Sequence, residues 1–157
     1  MSNWFLSKVK FQRPDTDGVK TVFEQYLIDA VSYTEAEVRT PEICDGENFA
    51  IDNIKKVKFE EVFHKITGTD GEIVDLSNTI IEEPNKWFKA KVACFEYDEK
   101  KGKEKKVMFN MLVYANTFIE AHTNLVKLMG TLNVYDVVGL EETQIIGVFP
   151  YSTVEQN

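Results

Sequence analysis

Side chains alternate from Trp4 onward. Phe5, Ser7, Val9 and Phe11 fall on one side, and Trp4, Leu6, Lys8 and Lys10 on the other. A period of two with one apolar side predicts a half-buried strand. The pattern returns at Trp87, where Phe88, Ala90, Val92 and Cys94 face away from Trp87, Lys89 and Lys91. Each stretch runs into a turn, Asp15-Thr16-Asp17-Gly18 in the first case and Asp98 to Lys103 around Gly102 in the second. Aspartate and glycine suit the positive φ angles of hairpin loops. A second strand is predicted from about Val19 to Ala30, and again from about Glu104 to Ala115.

Helices are predicted next. Ser32-x-x-Glu35 and Thr117-x-x-Glu120 are capping boxes, in which a hydroxyl caps a backbone N–H and the glutamate reaches back. Phe118, Ala121, Leu125, Leu128 and Met129 lie on one helical face, and Gly130 supplies the stop. The first helix is weaker, because Pro41 stands where it is expected to break the middle. Third strands are predicted over Ile51 to His64 and Tyr135 to Phe149, with a bulge or bend at Gly139 and Gly147.

These blocks form an internal repeat. Trp4–Val9 matches Trp87–Val92 at an offset of 83, Leu27–Ala30 matches Leu112–Ala115 at 85, and Val62-Phe63 matches Val148-Phe149 at 86. The expectation is a single α+β domain over 1–157 with an internally duplicated ββαβ unit: repeat one 1–64, a connector 65–85, repeat two 86–151 and a tail 152–157. Both helices are expected on one side of an antiparallel sheet.

Composition narrows the setting. The chain has 157 residues, enough to bury a core without staples. Net charge is −8 and the pI about 4.8, which weighs against coating nucleic acid by charge alone. Cys44 and Cys94 form no CxxC, and Met1-Ser2-Asn3-Trp4 opens without a basic segment followed by an apolar one. No signal peptide and no bilayer-spanning run are expected, so the expected location is cytoplasmic with both cysteines reduced.

The Trp-Phe-x-x-Lys-Val opening, the stretch from Glu24 to Glu37, the Gly102–Lys106 turn, the Met111-Leu112-Val113 strand and the closing Val148-Phe149-Pro150-Tyr151 resemble one family over nearly the whole chain. It is a domain of unknown function in small proteins of gut anaerobes and their phages. The resemblance implies no activity, although a phage or mobile-element setting favours nucleic-acid transactions or defence evasion.

The sharpest chemical feature is aromatic and basic residues on the same strand faces. Trp4, Lys8, Lys10, Trp87, Lys89 and Lys91, with Lys101 and Lys103 at a basic hairpin tip, form a candidate surface for single-stranded nucleic acid. Rings stack bases and lysines neutralise phosphates. The competing reading makes the same face a protein interface, a self-assembly surface or a second core layer with snorkelling lysines. An acidic decoy of a nucleic-acid-binding partner is a further variant. Against catalysis, His64 and His122 have no partner at a motif spacing, and the pairs Glu60-Glu61, Glu82-Glu83 and Glu141-Glu142 point to opposite strand faces. Asp15-x-Asp17-Gly18 lacks the later ligands of a calcium loop. A non-catalytic binding protein without cofactor or metal is expected, and an enzyme of unknown class ranks third.

Overall fold

The predicted alternation forms two long hairpins. Strand β1 (Asn3–Asp15) pairs antiparallel with β2 (Gly18–Ala30), placing Phe5 opposite Ile28 and Ser7 opposite Tyr26. Helix α1 (Tyr33–Ile43) follows, then β3 (Phe49–Val57), which returns antiparallel along β1. The short strands β4 (Glu61–Phe63), β5 (Lys65–Thr67) and β6 (Ile73–Asp75) come next. The opening order then recurs as β7 (Lys86–Asp98), β8 (Lys103–Ala115), α2 (Phe118–Met129) and β9 (Tyr135–Glu142), ending in β10 (Ile145–Phe149). The computed structural model describes residues 3–44, 48–68, 70–130 and 135–150.

The architecture is α+β, but, apart from the two-stranded β5–β6 ribbon, the strands form two four-stranded sheets and not one. Their orders are β10-β2-β1-β3 and β4-β8-β7-β9. Each sheet takes one helix, so the expected single sheet carrying both is corrected. Each sheet is also mixed. The predicted third strands break after β3 and β9, and the released pieces join the sheet of the other half in parallel. Val62 of β4 pairs with Leu112, and Val148 of β10 pairs with Leu27.

Two compact units result. One contains Met1–Lys58, Leu76–Ile81 and Gln144–Asn157, the other Phe59–Asp75 and Glu82–Thr143. The unit boundaries therefore differ from the sequence repeats 1–64 and 86–151, and the connector 65–85 is shared between them. The cause is long-range pairing of β4 and β10, which local periodicity does not encode.

In the first unit, Val9, Phe11, Tyr26, Ile28, Cys44 and Phe149 form one apolar cluster, and Phe5, Ala30, Ala36 and Ile54 another beneath α1. In the second, Phe88, Val113, Ala115 and Ala121 pack together, and Ala90, Val92, Met111 and Leu125 form the neighbouring layer under α2. Both N-caps form as expected: Ser32 accepts from Glu35 N and Thr117 from Glu120 N, each at 3.1 Å. Pro41 does not break α1. It sits in the last turn, where few downstream hydrogen bonds remain to be lost, and the helix ends two residues later. Gly130 closes α2 at φ 71°, with its N–H on Val126 O.

Candidate functional site

The side of each sheet away from its helix carries the predicted Trp/Lys residues. β1 turns Phe5, Ser7, Val9 and Phe11 inward and leaves Trp4 half-buried, Lys8 half-buried and Lys10 exposed. β7 turns Phe88, Ala90 and Val92 inward and carries Lys89 half-buried and Lys91 exposed. Trp87 breaks the expectation. It is fully buried, its ring meets Tyr114 edge-on at 5.5 Å, and its Nε1 has no hydrogen-bond partner. A tryptophan in that position presents no face to a base, so Trp87 is withdrawn from the stacking surface.

The lysines differ in availability. Lys8 Nζ lies 3.8 Å from Asp52 Oδ2 and 4.9 Å from the centre of the Phe23 ring. Lys89 Nζ lies 3.3 Å from Glu141 Oε1. Lys91 and Lys10 form no ion pair among the described residues. Lys101 and Lys103 are exposed at the β7–β8 tip, where Asp98 Oδ1 accepts from Lys100 N and Lys101 N. In the second unit the structure brings Lys89 and Lys91 together, in a groove of about 380 Å³ lined with Asn110, Gly139, Leu140 and Glu141. Gly139 stands opposite Lys91 and contributes no side chain to the floor. With Lys89 paired to Glu141, this groove offers one ammonium without an ion pair among the described residues and one amide. That set suits a single carboxylate or phosphate better than a run of nucleotides.

His64 Nδ1 lies 3.0 Å from Asp75 Oδ1, a contact the spacing did not reveal; it lies at the base of the β5–β6 hairpin, where Lys65 pairs with Asp75. The adjacent glutamates point to opposite faces: Glu141 reaches Lys89, while Glu142 reaches Lys86 at 3.3 Å. Among the described residues, no group of three or more His, Cys, Asp or Glu could hold a metal. Burial, followed by the charges of Glu96 and Glu60, pushes the Cys94 thiol up, away from thiolate reactivity. No helix among the described residues is long and apolar enough to cross a membrane.

Further polar contacts that sequence reasoning missed lie in the first unit. Arg13 donates to both oxygens of Glu24, at 3.0 and 3.3 Å, and the Tyr26 hydroxyl donates to Glu24 Oε1 at 2.7 Å. Arg39 of α1 donates to Asp29 O, Phe149 O and Pro150 O, tying the helix to β2 and to the end of β10. Their signal was faint, since each is a polar residue at an inward or flanking strand or helix position.

The sheet edges are the remaining feature of the surface. β10 is flanked by the segment before β7: Asn78 N donates to Val148 O and Ile81 N to Ile146 O, both at 2.8 Å. β4 is only three residues long. β3 and β9 are long edge strands, and no further strand pairs with their outer sides among the described residues. Both are bulged at corresponding positions. The register slips opposite Lys8/Val9 at Asp52, and opposite Lys91/Val92 at Val138.

Residues 3–151 match the family described as Domain of unknown function (DUF4494). The chain belongs to that family. Neither the curated proteins nor the solved structures provide a match. DUF4494 membership bears out the resemblance to an uncharacterised family and attaches no activity to the surface described above.

Proposed function

We propose that this DUF4494 chain is a non-catalytic binding protein that receives extended polypeptide at its open sheet edges. The observation that carries the reading is the contrast between edges: β10 is flanked and β4 is brief, whereas β3 and β9 run for nine and eight residues and no further strand pairs with their outer sides among the described residues. An uncovered edge offers a row of backbone donors and acceptors to an incoming strand. Main-chain hydrogen bonds then supply affinity and side-chain pockets supply selectivity.

The single-stranded nucleic-acid reading ranks second. It keeps Lys10, Lys91, Lys101 and Lys103 as exposed cations but loses Trp87 as a platform. The same proposal takes the recurring ββαβ order as the product of duplication and places the protein in the cytoplasm of gut anaerobes or their phages.

The test pans a displayed library of random extended peptides against the whole chain and maps backbone amide exchange with selected peptides bound. Slowed exchange confined to β3 or β9 is the expected result. Protection elsewhere, or no enrichment combined with salt-sensitive binding of poly-dT, would overturn the reading in favour of nucleic acid.

A further inference from the structure

We infer that the polypeptide received at these edges is a second copy of the chain, with β3 of one molecule adding to β9 of the next. The inference rests on the strand-addition reading above and names its occupant.

The two open edges carry opposite charge. Beyond its bulge, β3 presents Lys55 and Lys56, both exposed and without an ion pair among the described residues, and Lys58 follows. Beyond its own bulge, β9 ends in Glu141 and Glu142, whose side chains remain 67% and 44% exposed. Each glutamate already touches one lysine of β7, but such exposed pairs are weak and leave carboxylate oxygen open. Pairing like with like gains no opposite-charge pair beyond the bulges, and in the registers centred on Lys55 or Glu141 it sets like charges directly across the strands, which is destabilising. Pairing β3 with β9 instead sets lysines against glutamates.

Register and facing agree with this choice. Lys55 stands opposite Leu6 on the side of its sheet away from α1, and Glu141 stands opposite Lys89 on the side away from α2. An antiparallel register that sets Lys55 across from Glu141 keeps both helix faces on one side of the joined sheet. It also places Lys56 diagonal to Glu142, within reach of long side chains. The bulges at Asp52 and Val138 confine flat pairing to the segments beyond them, Asn53 to Val57 and Gly139 to Glu142. A contact this short is weak and reversible. Because it joins two different edges, each single contact is heterologous.

The experiment is sedimentation velocity on the whole chain across a wide concentration range at low salt. The parent, Lys55→Glu/Lys56→Glu, Glu141→Lys/Glu142→Lys and the quadruple variant are compared, with thermal melts of all four. The expected result is a mean mass that rises above the monomer with concentration and falls with added salt. Each double variant should associate about tenfold more weakly. The quadruple variant keeps the parent net charge of −8 and should associate as the parent does. A chain that stays monomeric throughout, or association indifferent to the swaps, overturns the inference. If peptides still protect β3 or β9 in that case, strand addition stands and only the second copy falls. If neither peptide nor copy binds, both fall.

Discussion

Ser7 and Thr40 form a buried polar pair with an apolar counterpart elsewhere in the same chain, and this makes its energetics predictable. Both side chains are fully buried and their hydroxyl oxygens lie 3.0 Å apart. Thr40 Oγ1 donates to Ala36 O at 2.8 Å. Its single proton is thereby used, so Ser7 must be the donor to Thr40. Removing Ser7 with Ser7→Ala costs one accepted hydrogen bond at Thr40, about 0.5–1.5 kcal/mol. Thr40→Val keeps the shape but leaves the Ser7 hydroxyl buried without a partner, which costs about 1–3 kcal/mol. Making both changes removes the stranded group, so the double variant should cost less than the sum of the singles, with a coupling of about 1 kcal/mol or more. The corresponding positions of the second repeat, Ala90 and Leu125, are apolar, fully buried and part of one cluster. That layer is therefore compatible with an apolar pair. Urea denaturation of the four chains with matched m-values measures the cycle. Additive costs, or a Thr40→Val change milder than Ser7→Ala, would refute the assignment of donor and acceptor.

Three further outcomes are expected. Burial first, then the hydrogen bond and charge of Glu24, hold the Tyr26 phenol above its ordinary value of 10.0. The folded chain keeps a proton that the unfolded chain releases near that pH, so this contribution is whole below pH 10.0 and declines above it. The decline is at most about 1.4 kcal/mol per pH unit, and Tyr26→Phe should flatten it in urea midpoints taken across alkaline pH. At Gly147 a methyl group would stand 2.7 Å from a ring carbon of buried Phe149, so Gly147→Ala should lower stability by about 1–3 kcal/mol in thermal melts; an unchanged melt would show that β10 shifts freely. Trp87→Phe removes a buried donor that has no partner, so it should cost well under the roughly 3–5 kcal/mol of Trp87→Ala; equal losses would mean that Nε1 is satisfied in solution.

Much of the local fold was legible in the residues. Phe5, Val9 and Phe11 against Lys8 and Lys10 mark a strand with an inner and an outer face, because successive side chains point to opposite sides. Ser32 with Glu35, and Thr117 with Glu120, mark helix starts because the hydroxyl is within reach of the exposed N–H. Such features depend on a few neighbouring residues, so the chain carries them wherever it folds. Three outcomes lay beyond it. Trp4 and Trp87 head the same motif, yet one is half-buried and the other fully buried; alternation tells which face a side chain takes and not what covers that face. Lys89 looks as available as Lys91 in the sequence, but its neutraliser, Glu141, arrives from a strand some fifty residues away. Val62 and Val148 read as the ends of long third strands, and only the tertiary structure sends each into the other sheet, beside Leu112 and Leu27. Sequence alone thus determined elements, caps and faces, which are matters of local geometry. Tertiary structure decided sheet membership, open edges and the fate of each charge, because those depend on contacts between residues far apart along the chain.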